Sequence, residues 1–469
     1  MTPDEFRRAG RALIDWIADY RSRMESFPVM SQVKPGEIRA RFPAEPPQEG
    51  APLEELLGPL ERDVLPGITH WNHPRFFAYF PSNGSLAGVL ADLAAAGLGA
   101  QCMSWQTSPA GTELEEVVLD WLRRMVALPD DFTGVIQDTA SSATLVALLC
   151  ARERTTHFSQ ARGGLCEETA PLAVYASDQA HSSVEKAALL AGFGRAHVRA
   201  VASDEANAMR ADALEQAIAA DAARGVRPCA VVATVGSTAT TAMDPLPAIA
   251  EVARRAGAWL HVDAAMAGTA MILPECRPLW QGVEAADSLV FNPHKWMGTG
   301  FDCSAYYARD PQHLVRVMST NPSYLRTAHE GEVKNFRDWG IPLGRRFRAL
   351  KLWFLLHEQG VKGLQARIRR DLENARWLAG QVDAAPDWRR MAPVPLQTVC
   401  LRHLPPDISE DVDAHNLEIA RRVNASGAAY VTPAVVKGVQ LIRVSIGAEG
   451  TVRSHVEQVW AALQQAART

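Results

Sequence analysis

The sequence predicts an α/β chain, with a mostly parallel sheet and helices on both faces. Three observations carry that reading. Between about residues 85 and 350, short apolar runs alternate with amphipathic helical stretches. Several runs, such as Leu172–Ala176 and Cys229–Val235, are apolar nearly end to end, as strands buried on both faces are. Two others end in polar residues, at the carboxyl ends where open α/β sheets place their ligands.

The elements follow in order. Thr2-Pro3-Asp4-Glu5 is a helix start, with a cap, a proline at the first helical position and a glutamate at the third. Phe6, Leu13, Ile14, Ile17 and Tyr20 then share one face. Residues 28–52 are rich in proline and charge and read as extended. Leu53, Leu56, Leu57, Leu60 and Val64 form a short apolar stripe closed by Pro66-Gly67. Further strands are expected at Trp259–Val262, Ser288–Phe291 and Ser304–Ala308, with helices at Leu114–Ala127 and Leu246–Ala256 between the runs. A helical pattern from Arg345 to Glu358 leads to a final strand, Val439–Ser445, and a last helix. Three parts are expected: a helical segment 1–84, a large domain 85–350 and a smaller α+β domain 351–469.

Composition narrows the class. A chain of 469 residues exceeds one small core. A net charge of −5 and no long basic run give no reason to expect a nucleic-acid partner. The seven cysteines are scattered, with no C-x-x-C pair, which favours a reducing compartment over a disulfide scaffold or a zinc site. His70 and His73 lie at i,i+3 spacing, but no acid or thiol nearby suggests a metal. The first residues resemble no targeting peptide, and no apolar run suffices to span a bilayer. The expectation is a soluble, cytoplasmic protein.

The chemistry is expected at Asn292-Pro293-His294-Lys295-Trp296, just after the Ser288–Phe291 run. A lysine near a core is costly unless paired or neutralised. Condensation of its amine with an aldehyde removes the problem. Upstream, Trp259-Leu260-His261-Val262-Asp263-Ala264-Ala265 reads as a strand ending in an acid followed by small residues. A Schiff-base lysine with a carboxylate against a pyridine nitrogen is the recurring arrangement around pyridoxal 5'-phosphate (PLP). Lys295 and Asp263 fit those two roles, and Ala265 is small enough for a flat ring to lie against. Taken alone, Asp263 reads equally well as a helix cap.

With these residues the chain resembles the group II PLP-dependent amino-acid decarboxylases, and among them the aromatic-L-amino-acid decarboxylases. The resemblance runs from about His70 to Gly363. Its landmarks are His73 to Pro81, Ser104-Trp105, Ser108-Pro109-Ala110, Thr112 to Glu115, Ser177 to Ser183, the Asp263 and Lys295 segments, and Ile341 to Arg348. It implies a fold-type-I PLP enzyme with a seven-stranded-type sheet, working as a homodimer through its N-terminal helical segment.

The resemblance also assigns residues. It places Ala140, Ser141, Asn292 and His294 on the cofactor phosphate. Thr139, Ala140 and Ser141 head an apolar helix, where such residues line a phosphate site or simply cap the helix. Thr238 matches a position beside the cofactor, and His181 the histidine stacked on its ring. Trp71, Tyr79, Phe80, Pro81 and Ser82 are implied to line the substrate side chain. Gln101 and Met103 stand where relatives often carry more apolar residues. Gly344 leaves room compatible with an indole.

The implied reaction is decarboxylation of an aromatic L-amino acid to the amine and carbon dioxide. One departure opens an alternative. Relatives supply the closing proton from a tyrosine on a mobile loop, and in Glu332 to Trp339 that position is read as Phe336. A missing general acid, worth roughly 10²–10⁴-fold, leaves the decarboxylated carbon open to dioxygen, giving an aromatic acetaldehyde, ammonia and hydrogen peroxide. A second departure is Met266, where the family usually has tyrosine. An aminotransferase of the same fold normally needs a carboxylate-binding arginine.

Overall fold

Seven strands form the main sheet: β1 (Thr133–Gln137), β2 (Leu172–Ser177), β3 (Val198–Val201), β4 (Arg227–Thr234), β5 (Trp259–Asp263), β6 (Ser288–Phe291) and β7 (Ser304–Ala308). Their order is β1-β7-β6-β5-β4-β2-β3. The computed structural model describes every residue except 83, 321–328, 330, 407–410 and 469. Only β7 runs against its neighbours, pairing antiparallel with both β1 and β6. β4, β5 and β6 pair in parallel, Val262 opposite Ala233 on one side and Leu289 on the other. This register brings the carboxyl ends of β5 and β6 together.

Burial explains the runs. β2, β5, β6 and β7 are buried at every position. The Ala140–Thr155 helix packs Ala143, Ala147 and Ala151 into the core with Val174, Val232 and Val290. Small residues let its backbone lie close to the sheet. Each buried valine contributes about 1.5–3 kcal/mol of transfer free energy. Two strands of this sheet were not expected from the sequence. β1 carries Gly134 within Thr-Gly-Val-Ile-Gln, and β3 is a four-residue edge that is mostly not buried. Neither looks like a continuous apolar run.

The chain divides into two units, and the division differs from the three expected parts. One unit is Ser82–Arg376 with Ala392–Val399; the other is Met1–Pro81, Trp377–Met391 and Cys400–Thr469. The first break falls close to residue 84. The second does not fall at 350, because a helix runs from Ala349 to Ala384 and is interrupted only at Gly360 (φ 62°). The N-terminal segment belongs with the C-terminal one because its backbone bonds there: Phe77 N–H donates to Tyr430 O, Ser445 N–H to Phe77 O and Val29 N–H to Gly427 O.

The second unit has a sheet ordered β10-β11-β9-β8, from β8 (Trp388–Arg390), β9 (Thr398–His403), β10 (Thr432–Val436) and β11 (Val439–Ser445). Its first helix, Pro3–Ser22, has the expected capping box: Thr2 N–H donates to Glu5 Oε2 at 2.6 Å and Glu5 N–H to Thr2 Oγ1 at 3.3 Å. None of that helix is buried. Among the described residues no helix is long and apolar enough to cross a membrane.

Candidate active site

The site grows from the carboxyl ends of β5 and β6. Asp263 is the last residue of β5; it is buried, and its Oδ1 accepts the Ala265 N–H at 3.0 Å. Ala264 and Met266 on either side are buried, whereas Ala265 keeps an open face. After β4 the chain loops through Gly236 (φ 83°) to the half-buried Thr238. A Cβ on Gly236 would stand 2.6 Å from that of Ala267, so the two loops approach only because glycine is there.

Beyond β6, Asn292 and His294 are buried. Asn292 Oδ1 accepts the Ser304 hydroxyl, and Asn292 N–H donates to Ala265 O at 2.9 Å, tying the β5 and β6 ends together. His294 Nδ1 accepts the Cys303 N–H at 3.0 Å. Burial, reinforced by Lys295, pushes the His294 pKa down to about 4, so its ring is neutral at pH 7. Ser82 donates its hydroxyl to His294 O at 2.9 Å. Lys295 itself is half-buried, in a turn that Gly298 (φ 99°) closes.

His181 caps the Ser182–Leu190 helix. Its Nδ1 accepts the Ser183 N–H at 3.2 Å, which leaves the proton of the neutral ring on Nε2. Burial lowers its pKa; Asp263 opposes that shift and Lys295 adds to it. Asp263, His181 and Lys295 therefore share one electrostatic neighbourhood, although they come from three separate stretches of chain.

The Ala140–Thr155 helix begins beside β1, with Thr139 as its cap. Thr139 Oγ1 accepts the Ser142 N–H at 3.4 Å. Helix geometry leaves the Ala140 and Ser141 amides without intrahelical acceptors. Ser141 is exposed, and a helix start of this length favours a phosphate. The residues fit PLP on these grounds: an open Ala265 for the ring, a buried carboxylate for its nitrogen, an amine, and a helix start for the phosphate.

The substrate-side residues fall into two groups. In the larger unit, Gln101 Oε1 accepts the Arg345 N–H at 2.7 Å, and Met103 O accepts the Arg337 N–H at 2.8 Å. Gln101 and Gly344 are thus neighbours, and a Cβ on Gly344 would meet Gln101 Nε2 at 3.2 Å. Trp71, Tyr79, Phe80 and Pro81 belong to the other unit. There Trp71 and Tyr79 stack at 5.6 Å, the Tyr79 and Tyr430 hydroxyls lie 3.3 Å apart, and Arg443 lies 5.3 Å from the Phe80 ring centroid. Tyr79 holds a left-handed backbone (φ 49°), fixed by its N–H to Thr432 Oγ1 at 2.7 Å.

One expectation, the role read for Phe336, is corrected. Phe336 is only 1% exposed and belongs to the hydrophobic core. It packs edge-on against Trp339 at 5.6 Å, with the Arg345 guanidinium 4.9 Å from its centroid. Enclosed in this way, it is a core residue rather than one offered to a substrate. Tyr324 is the one tyrosine between Val317 and Phe347, and it lies outside the described residues. Met266 is buried and accepts Gln397 Nε2–H on its sulfur at 3.0 Å, so it serves as packing. The described residues hold no cluster of three metal-ligating side chains.

Comparison with known proteins agrees with this geometry. The model of the pyridoxal-dependent decarboxylase conserved domain matches residues 35–404. An aromatic-L-amino-acid decarboxylase of Cavia porcellus is 40% identical, covering 100% of this chain and 98% of its own. A phenylacetaldehyde synthase of Arabidopsis thaliana is 39% identical over 100% of this chain and 96% of its own. The crystal structure of Oryza sativa TDC with PLP and tryptamine superposes with a TM-score of 0.96 at 38% identity, covering 100% of this chain and 98% of that one.

Proposed function

Because the chain belongs to the pyridoxal-dependent decarboxylase family, we propose that it removes the carboxylate of an aromatic L-amino acid and releases the amine. The observation that carries the site assignment is the grouping of Lys295, Asp263 and His181 at the ends of β5, β6 and the Ser177–Ser183 stretch. When bound, PLP supplies an electron sink for the pair released with carbon dioxide. The protein's part is to hold and protonate. Asp263, buried at the end of β5, would keep a proton on the pyridine nitrogen. His181 would stack on the ring and present Nε2–H. Lys295 Nζ would anchor the cofactor, and its amine could move protons nearby. Thr139, Ala140, Ser141, Asn292 and His294 would hold the phosphate end, with Thr238 beside the cofactor.

Aromatic specificity draws its support from the relatives' names and from Gln101, Met103 and Gly344, none of which carries a charge. The aldehyde-forming route rested on Phe336, and the burial of that residue removes its support, so amine formation is the reading kept. The exposed Phe6, Leu13 and Ile14 of the Pro3–Ser22 helix favour a homodimer, and the absence of a disulfide among the described residues favours the cytoplasm. Borohydride reduction of the PLP-loaded protein, then peptide mapping, tests the anchor. The expected result is a pyridoxyl group on Lys295 and none in Lys295→Ala. A label on another lysine would overturn the assignment.

A further inference from the structure

Lys295 lies in the five-residue turn Pro293–Met297, whose backbone is not helical at Lys295 itself (φ −94°, ψ −108°). No helical ladder sets the direction of its side chain; contacts to the residues before and after it hold the turn instead. On the near side, Asn292 O accepts the Lys295 N–H at 2.9 Å. On the far side the grip comes from the Ala349–Ala384 helix. Arg367 donates from Nη1 to Trp296 O at 2.9 Å and from Nη2 to Met297 O at 2.5 Å. The Trp296 indole N–H donates to Asp371 Oδ2 at 2.9 Å.

Arg367 and Asp371 stand at i,i+4, so they face the same way from one helical turn. Trp296, Arg367 and Asp371 are all buried, Asp371 completely. Arg370 lies 3.2 Å from Asp371 Oδ1 and offsets its charge. Buried charges are a poor means of gaining stability, and well-packed apolar residues often do as well. What these two provide is direction: three hydrogen bonds on the two residues that follow Lys295.

We infer that Arg367 and Asp371 are positioning residues that fix the direction of Lys295, a reading that rests on Lys295 being the cofactor lysine. Misplacement of a reacting group by about an ångström can cost on the order of a hundredfold in rate. Arg367→Met removes both carbonyl contacts, and Asp371→Leu leaves the indole N–H without its acceptor. Arg367→Lys and Asp371→Asn each keep part of the contact. Arg369→Met, which removes only the exposed pair with Glu275, serves as the control.

The test is the pH titration of the lysine–PLP absorption band in each holoprotein, with kcat and KM. For Arg367→Met and Asp371→Leu the expected result is a displaced midpoint and a kcat about tenfold lower, with KM nearly unchanged. Arg367→Lys and Asp371→Asn should lie between these and the parent, and Arg369→Met should match the parent. Should the two disruptive variants fail to fold, Arg367→Lys and Asp371→Asn decide by their midpoints. Midpoints and kcat equal to the parent in the variants that fold would overturn the inference. A parent band that persists in Lys295→Ala would instead overturn the anchor assignment on which it rests.

Discussion

Phe336→Tyr separates a core residue from a catalytic one. The ring is 1% exposed, wedged between Trp339 at 5.6 Å and the Arg345 guanidinium at 4.9 Å. Adding a hydroxyl there enlarges a filled site, which costs typically about 1–3 kcal/mol. Burying the hydroxyl without a partner adds about 1–3 kcal/mol on the mutational scale. Arg345 Nη1 is buried with no hydrogen-bond partner among the described residues, and a bond to it can recover part of that second cost. The expected net loss is therefore about 2–5 kcal/mol. Urea unfolding of parent and variant measures it. Product analysis under air gives the other half: the ratio of amine to aldehyde should not change. If Phe336→Tyr instead turns an aldehyde-forming protein into an amine-forming one at unchanged stability, the placement of this ring in the core is wrong.

Other expectations follow from the same contacts. Glu115, buried, accepts the Ile136 N–H and Arg345 Nη2, each at 2.8 Å; Glu115→Ala leaves a buried guanidinium uncompensated and should cost about 3–5 kcal/mol in urea unfolding. Burial pushes the His261 pKa down to about 4. The unfolded chain binds that proton below about 6.5 and the folded chain does not, so this stability is full above pH 6.5 and is lost as pH falls towards 4. It amounts to about 2 kcal/mol by pH 5, and His261→Asn should reduce the difference in unfolding free energy between pH 7 and pH 5 by that order. Asp244 and Asp371, both raised to about 6 by burial, act with the opposite sign: their contribution is full below pH 3.8 and is lost as pH rises through 6. Between pH 7 and 6 the depressed histidines therefore dominate. Tyr324→Phe should raise aldehyde and peroxide at the expense of amine, since no other phenol lies in its segment; unchanged products would show that the closing proton comes from elsewhere.

Much of the site was legible because strand ends in a parallel sheet carry both a pattern and a role. The apolar runs before Asp263 and Lys295 identified β5 and β6, and the two residues taken together, rather than Asp263 alone, pointed to chemistry. His181 needed the family resemblance, since a histidine at a helix start is more often a cap, and here it is a cap as well. Phe336 misled for a physical reason. Position along a loop does not reveal whether a ring points outward, and this one folds back under Arg345. β1 and β3 escaped notice because a glycine and a half-exposed edge break the apolar run. Arg367-Ile368-Arg369-Arg370-Asp371 reads as a solvated, charged face. Only the packing shows that Arg367 and Asp371 turn inward to the lysine turn while Arg369 pairs with Glu275 at the surface.

The most direct measurement is one aerobic reaction of the PLP-loaded protein with L-tryptophan, L-phenylalanine, L-tyrosine and L-DOPA in separate tubes, quantifying carbon dioxide, amine, aldehyde and hydrogen peroxide. The account expects at least one of the four to give amine in step with carbon dioxide, with little peroxide. Aldehyde with matching peroxide, or no carbon dioxide from any of them, would contradict it.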